Sequence, residues 1–204
     1  MIVVYHLEES RSQRILWLLE ELGVPYRVER FARDPTGRAP EAYRRIYPLG
    51  KSPVIRDGDV LLAESGAIVE HLLERHGGGR LAPAREDPSR PRFLFWLHFA
   101  EGTAMAFLVT GVVLGMATDG GGPIGQVFHK EVQRILGFVA DELGDRPWLL
   151  GDELSAADVM MGYVVDTAEK RGDLADHPRL RAYVERLRQR PAYLRAREAE
   201  LPRA

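Results

Sequence analysis

The chain contains no cysteine among its 204 residues. It therefore has no disulfide bonds, no zinc site built on thiolates and no Cys-x-x-Cys pair for dithiol exchange. Any thiol chemistry that this protein performs must use a thiol that its ligand brings.

An excess of charge of one sign is also absent, because 28 basic and 30 acidic residues leave a net charge of −2. This near balance gives no electrostatic footprint for nucleic acid or for an anionic membrane. No apolar run approaches the roughly 18–20 residues that cross a bilayer, and the N-terminus lacks the basic start of a signal peptide. We expect a cytoplasmic protein that binds neither nucleic acid nor membrane.

Metal-ligand spacing is missing as well. The six histidines do not form a ligand pattern, and although His71 and His76 fall on one predicted helix, no third ligand is evident. We therefore expect no metal cofactor. Hydrophobic residues make up 45% of the chain, a normal value for a globular protein with ample core.

A proline-containing turn is the most informative feature that is present. Residues 48–54 read Pro-Leu-Gly-Lys-Ser-Pro-Val and lead into a predicted hairpin within 53–62. The Ser52-Pro53 bond is a candidate for the cis form, which about 5–6% of X–Pro bonds adopt. A turn of this kind would aim backbone N–H and C=O groups outward, as an edge on which a peptide could dock.

A helical pattern begins directly after Glu64-Ser65, where apolar residues recur at i,i+4 spacing. Free N–H groups at the positive end of this helix would favour a bound carboxylate. A docking edge beside an anion pocket suits a short acidic peptide. The alternative is an ordinary hairpin followed by a serine helix cap.

The N-terminal segment supports the first interpretation. Residues 1–7 are β-rich, Ser10-Arg11-Ser12-Gln13-Arg14 follows, a helix stops at Gly23, and a second strand covers 26–31. With the Ser-Pro turn and the Glu-Ser helix start, this pattern resembles the glutathione-binding half of cytosolic glutathione transferases, especially their bacterial and fungal serine-type members. The absence of cysteine sets aside the cysteine-type branches of that family.

The resemblance covers nearly the whole chain and implies its architecture and activity. The fold class is then an α+β thioredoxin-like N-terminal domain followed by an all-α C-terminal domain. The implied activity is conjugation of glutathione to small hydrophobic electrophiles in detoxification, by a homodimer. Glutathione-dependent peroxidase, isomerase or dehalogenase activity on the same scaffold is the alternative, as is a non-catalytic binding or regulatory module.

The predicted elements fit this organisation. We place a glutathione-binding domain at 1–79, a Pro-rich linker at 80–88 and an all-helical domain at 89–204. The predicted helices cover 10–22, 40–47, 65–76, 89–117, 124–143, 155–169, 178–189 and 191–199, with a glycine-rich break at 119–123. Ser155 and Asp158 form a capping box, a folding signal rather than a chemical one.

The implied chemistry requires a thiolate, because a free thiol with a pKa near 8.5 is only a few per cent ionised at pH 7. A short hydroxyl at a helix N-terminus can donate a hydrogen bond to the thiolate, and the helix dipole adds positive potential. Ser10, where the first strand gives way to the helix, is the first candidate for this donor. Ser12 in the first helical turn and Tyr5 in the strand are the alternatives.

The resemblance also implies how glutathione is held. The backbone of Val54 would pair with the cysteinyl unit, with Pro53 as the cis hinge and Ser52 in the same turn. Glu64 and Ser65 would bind the γ-glutamyl amine and carboxylate, and Lys51 the glycyl carboxylate. The acceptor pocket is not identified, since aromatic and methionine residues at helical spacing are core more often than pocket. These residues are Phe93, Trp96, Phe99, Met105, Phe107 and Met116.

Overall fold

A computed structural model of the protein describes residues 1–117 and 122–201. The chain divides into two compact units, of which the first comprises residues 1–81 with the segment from Arg188 onward, and the second residues 82–187. Compact packing does not by itself define a domain. The boundaries 1–79, 80–88 and 89–204 therefore stay a prediction.

The first unit is built on a four-stranded mixed sheet in the spatial order β2-β1-β3-β4. Strand β1 pairs in parallel with β2 and antiparallel with β3, and β3 pairs antiparallel with β4. This is the thioredoxin-like topology that the sequence predicts. The strands are β1 (Ile2–Leu7), β2 (Tyr26–Phe31), β3 (Val54–Asp57) and β4 (Val60–Ala63).

Every residue of β1 is buried, because helices cover both faces of the sheet at this strand. Successive side chains of a strand point to opposite faces, so Tyr5 and His6 lie on different sides of the sheet. Tyr5 belongs to a core cluster that includes Tyr43 and Val54. His6 lies on the other face, where it contacts the start of the first helix.

The helices of the first unit are α1 (Ser12–Leu22), α2 (Glu41–Ile46), α3 (Ser65–His76) and α9 (Pro191–Glu200). Helix α1 ends as predicted at Gly23, which has a φ of 62° and so uses the freedom of glycine. Helix α9 packs against α1 through an edge-to-face contact of Trp17 with Tyr193 at 5.2 Å. Arg190 adds a paired hydrogen bond to the carboxylate of Glu21, at 2.6 and 2.8 Å.

The described part of the second unit is helical apart from one isolated β-bridge. Its helices are α4 (Arg90–Phe99), a π-helical segment (Ala100–Met105), α5 (Ala106–Ala117), α6 (Gly122–Leu143), α7 (Ala156–Lys170) and α8 (Pro178–Arg188). The π-helical turn interrupts the helix that the sequence predicts over 89–117. Most of the predicted break at 119–123 lies outside the described residues, and Gly122 already begins α6.

The helical run Arg90–Gly115 corrects one expectation from the sequence. Its 26 residues are long and apolar enough, by length and composition, to cross a membrane, with 28% of its most apolar window buried in the protein. His98 and Glu101 interrupt this run, so the sequence shows no long uninterrupted apolar stretch even though the mean hydropathy of the run is high. Core helices of soluble proteins meet the same criteria, so this finding alone does not assign the run to a membrane.

The predicted capping box at the start of α7 is confirmed. The carboxylate of Asp158 accepts hydrogen bonds from the backbone N–H and the hydroxyl of Ser155, at 2.9 and 2.8 Å. It also accepts bonds from the N–H of Leu149 and the hydroxyl of Tyr183. Burial raises the pKa of Asp158, and these hydrogen bonds oppose that effect. The box thus anchors α7 to its neighbours in the second unit.

Candidate active site

Three loops of the first unit meet at one end of the sheet. Strand β1 ends at Leu7 and leads into residues 8–11, while β3 runs antiparallel to it with Tyr5 opposite Val54. The residues just before Val54 therefore lie at the end of the sheet where β1 stops. Val54 also pairs with Ala63 of β4, so the residues after Ala63 reach the same end. The topology alone gathers the Ser10, Ser52 and Ser65 segments.

Four buried side chains at this end form a continuous line of hydrogen bonds, which we call the serine–histidine chain. The Oγ atom of Ser10 lies 2.9 Å from Oγ of Ser52 and 2.8 Å from Oγ of Ser12. The Oγ atom of Ser12 lies 2.8 Å from Nδ1 of His6. The structure therefore brings together two predicted site serines, the alternative Ser12 and a histidine that the sequence analysis did not single out.

The two candidate serines differ in depth. Ser12 is 0% exposed and Ser10 is 8% exposed, so Ser10 is the hydroxyl nearer the surface. Arg11 occupies the N-cap position of α1 but makes no side-chain cap bond. The backbone N–H of Ser12 instead points to Oγ of Ser10 at 3.4 Å. Ser10 therefore supplies a side-chain acceptor at the start of α1, in addition to its contacts with Ser12 and Ser52.

His6 is uncharged at neutral pH. Burial, followed by the positive charges of Arg30 and Arg197, lowers the pKa of His6 to about 4. A neutral imidazole carries one N–H and one acceptor nitrogen. The serine–histidine chain is therefore an uncharged network.

Tyr5, the third candidate for the thiol donor, is not part of this network. Its side chain lies in the core cluster on the opposite face of β1, and its hydroxyl accepts a hydrogen bond from Nε of Arg56 at 3.2 Å. The structure thus separates Tyr5 from the three serines. The core interpretation of this tyrosine agrees with its place in an apolar strand.

The docking turn has the expected backbone form, since the Ser52–Pro53 peptide bond is cis. Val54, however, is fully buried and faces Tyr5 on one side and Ala63 on the other. Strands of this chain therefore flank Val54 on both sides, whereas Ser52 lies just before the ladder begins. Lys51 beside it is exposed.

The start of α3 holds a non-glycine residue in the left-handed region. Glu64 has a φ of 72° and an exposed side chain, and Ser65 after it is buried. Such a conformation costs about 1–3 kcal/mol and is concentrated at functional sites. The first helical bond joins the N–H of Ile68 to the carbonyl of Glu64. The N–H groups of residues 65–67 thus precede the helical ladder and can face an anion.

Two side chains that the sequence analysis missed support these loops. The guanidinium of Arg33 donates hydrogen bonds to the carbonyls of Glu8 and Glu9, in the loop that carries Ser10. The hydroxyl of Tyr43 donates to the carbonyl of Lys51 at 3.1 Å. The Arg33 contacts join segments 24 and 25 residues apart, and Tyr43 reaches Lys51 from within α2, so the repeating pattern of a helix or strand indicates neither.

The histidine pair on α3 has an acidic neighbour that the sequence did not reveal. Nε2 of His71 and Nε2 of His76 lie 3.0 and 2.9 Å from the same Oδ2 atom of Asp57. The hydrogen bond from His76 is the main cause that lowers the pKa of Asp57. Among the described residues no group of three or more histidine, aspartate or glutamate side chains is arranged to hold a metal ion. The cluster instead ties β3 to α3.

The aromatic and methionine residues of the second unit that were considered for an acceptor pocket differ in burial. Phe93, Trp96 and Met105 are buried, which places them in the core of the second unit. Phe99 and Phe107 are half-buried, and the side chain of Met116 lies outside the described part. The most exposed aromatic rings here are two that the sequence analysis did not name. They are Phe95 and Phe138, at 45% and 40% exposure.

Two family models match the chain, one in its N-terminal part and one in its C-terminal part. Residues 4–80 match the family model of the glutathione S-transferase N-terminal domain, and residues 123–186 match that of the C-terminal domain. The chain is 34% identical over 184 residues to Glutathione S-transferase 3 of Schizosaccharomyces pombe. The aligned region covers 83% of this chain and 75% of that protein.

Two further relatives cover almost the whole chain. A disulfide-bond oxidoreductase of Escherichia coli is 30% identical over 201 residues, which are 94% of this chain and 92% of that protein. The crystal structure of a glutathione S-transferase from Actinobacillus pleuropneumoniae has a TM-score of 0.87 and 33% identity, over 97% of this chain and 92% of that one.

Proposed function

Because the chain belongs to the glutathione S-transferase family, we propose that it binds glutathione and conjugates its thiolate to small hydrophobic electrophiles. The observation that carries this proposal is the buried group of Ser10, Ser12 and Ser52 hydroxyls at the end of the sheet where the docking turn and the start of α3 also lie. The expected setting is detoxification in the cytoplasm.

In this proposal Ser10 donates its hydroxyl proton in a hydrogen bond to the sulfur and is neither base nor nucleophile. The donor favours the ionised thiol, and the N-terminus of α1 adds positive potential. The thiol proton leaves to solvent. The thiolate electron pair then forms a carbon–sulfur bond with the electrophile, and a leaving group departs with the bonding pair.

The remaining site residues would hold the peptide. The backbone at Ser52 pairs with the cysteinyl unit, with Pro53 shaping the turn. Ser65 and the N–H groups at the start of α3 bind the γ-glutamyl carboxylate, because charge-assisted hydrogen bonds at a helix N-terminus favour an anion. The exposed Glu64 carboxylate pairs with the γ-glutamyl amine, and Lys51 pairs with the glycyl carboxylate.

The similarity to a disulfide-bond oxidoreductase favours one second candidate, glutathione-dependent disulfide reduction. The chain has no cysteine, so two glutathione molecules would supply both electrons. The first thiolate attacks the substrate disulfide, forms a mixed disulfide and releases one substrate thiolate. The second glutathione thiolate then attacks the mixed disulfide, which yields glutathione disulfide and the second substrate thiolate.

Retention on immobilised glutathione, with elution by the free peptide, tests the binding step. We expect retention, followed by formation of glutathione conjugates when the purified protein is given a panel of electrophiles. Formation of glutathione disulfide from small disulfides, without conjugates, would replace the first candidate by the second. Absence of retention would contradict glutathione binding and with it the proposed transferase. Retention without turnover of either the electrophiles or the disulfides would indicate a non-catalytic module and would also contradict the proposal.

We further expect a homodimer with isologous contacts, as the family resemblance implies for α3 and for the long helix after Ser89. In the second unit, the exposed rings of Phe95 and Phe138 lie 6.2 Å apart and give this helical surface an apolar patch. Equilibrium sedimentation should report twice the chain mass at micromolar concentration. A monomer mass throughout that range would contradict the expectation.

A further inference from the structure

We propose that His6 is a positioning residue that, through Ser12, turns the hydroxyl proton of Ser10 toward the sulfur of bound glutathione. The inference rests on the proposed function, and it specifies the Nδ1–H tautomer of a neutral His6 imidazole.

The four side chains form a continuous chain of three links, and the hydroxyl of Tyr43 is a further neighbour at the Ser52 end. The links are His6 Nδ1 to Ser12 Oγ at 2.8 Å, Ser12 Oγ to Ser10 Oγ at 2.8 Å, and Ser10 Oγ to Ser52 Oγ at 2.9 Å. All are within hydrogen-bond distance. His6 is 2% exposed and Ser12 is fully buried, so solvent does not compete for the inner links.

The number of protons decides what the chain can offer to a ligand. Each hydroxyl supplies one proton, and a neutral imidazole has its proton on either Nδ1 or Nε2. If Nε2 holds it, the three hydroxyl protons of Ser10, Ser12 and Ser52 are all used in the three links. A thiolate would then receive a proton only if a link broke. If Nδ1 holds the proton, the links are complete and one hydroxyl proton is left over.

The spare proton falls at the surface end of the chain. With donation running from His6 to Ser12 and from Ser12 to Ser10, the remaining proton belongs to Ser10 or to its neighbour Ser52. The Ser52 hydroxyl also has the Tyr43 hydroxyl as a neighbour, to which its proton could go. When Ser52 donates to Ser10 instead, Ser10 accepts from both serines and keeps its own proton for the ligand. A hydroxyl that accepts a hydrogen bond is also a stronger donor, by roughly 10–30% per bond. His6 therefore both orients and polarises the donor.

The neutral state of His6 fits this role. Its pKa of about 4 keeps the imidazole uncharged across the range in which a bound thiol titrates. His6 thus acts as a fixed dipole rather than as a general base for the thiol proton. A side chain that served packing alone on this face of β1 would not need a ring nitrogen directed at Ser12.

The tautomer can be measured without any ligand, and hence independently of the proposed function. In protein labelled with ¹⁵N-histidine, two-bond nitrogen–proton correlations at neutral pH distinguish the two tautomers, and His6 is identified by the signal that His6→Asn removes. We expect the proton of His6 on Nδ1. A proton on Nε2 would by itself overturn the inference.

The action on sulfur is measured from the ultraviolet titration of bound glutathione. His6→Leu should lower the thiolate fraction at neutral pH by roughly three- to tenfold. His6→Asn, whose amide N–H can occupy the place of Nδ1–H, should stay within about twofold of the parent. His129→Leu, the same change at an exposed histidine of the second unit, should have no effect.

A double-mutant cycle separates transmission through Ser12 from independent effects. Because His6→Leu and Ser12→Ala break the same chain, the double variant should shift the titration no more than the larger single change. Additive shifts, or an unchanged titration in His6→Leu, would refute the inference. If Ser10→Ala also leaves the titration unchanged, the proposed role of Ser10 fails. If Ser10→Ala moves the titration and His6→Leu does not, only the role of His6 fails.

Discussion

Replacing Ser10 by alanine is expected to lower the conjugation rate at neutral pH by roughly eight- to twenty-five-fold, with glutathione affinity nearly unchanged. The reason is that Ser10 donates to the sulfur only after the thiol ionises. One good donor to a charged group shifts a pKa by about one to two units, and each unit corresponds to about 1.4 kcal/mol. The bound thiol should therefore titrate higher in Ser10→Ala, as its ultraviolet absorbance would report.

The pH dependence distinguishes this role from a structural one. In Ser10→Ala the rate should partly recover at high pH, where the thiol ionises without help. Ser12→Ala should shift the titration less, because Ser12 is fully buried and acts through Ser10. If instead Ser10→Ala titrates like the parent and Tyr5→Phe does not, the serine-type assignment is wrong.

Ser65→Ala should weaken glutathione binding by roughly ten- to a hundredfold and leave folding almost unaffected. A hydrogen bond to a charged group contributes about 1.5–3 kcal/mol, which corresponds to that range of affinity. Ser65 is the first residue of α3, while Glu64 is the N-cap and makes no side-chain cap bond. Loss of the Ser65 hydroxyl therefore removes a ligand contact rather than a helix cap.

Isothermal calorimetry of the folded variant measures this effect directly. Ser89→Ala is a matched control, because Ser89 is the N-cap of α4 and its hydroxyl donates to Asp87 rather than to a ligand. Its glutathione affinity should equal that of the parent. Unchanged affinity in Ser65→Ala would remove the start of α3 from the proposed site.

The local patterns in the sequence predict much of the first unit. Strand β2 and helix α3 have the bounds that periodicity gives, and Gly23 stops α1 where the sequence places it. The same holds for the capping box at Ser155 and Asp158. In each case the determining interactions lie within a few residues of one another, so a linear pattern contains them.

The candidate site is less accessible from the sequence, because its contacts join distant segments. Ser10 and Ser52 are 42 residues apart and meet only through the antiparallel pairing of β1 with β3. In the sequence His6 is one residue of an apolar strand, and only the packing of α1 on its face of β1 brings it to Ser12. Val54 fits a docking turn in sequence, but no local pattern indicates that β1 and β4 pair on either side of it.

Helix α9 illustrates the same limit for whole elements. Its sequence predicts a helix that follows other helices, which groups it with the predicted all-helical domain. Contacts such as Trp17 with Tyr193 join it to α1 within the first compact unit. No short-range pattern encodes that choice, which depends on the apolar face that α1 leaves open to it.

The ionisation state of bound glutathione tests the central claim most directly. The measurement is an ultraviolet difference spectrum of the parent protein, recorded as glutathione is added at fixed pH and repeated across a pH series. If Ser10 stabilises the thiolate, the bound thiol should show the thiolate band at neutral pH and titrate one to two units below the usual pKa of about 8.5. A bound thiol that titrates at its ordinary pKa would contradict the account.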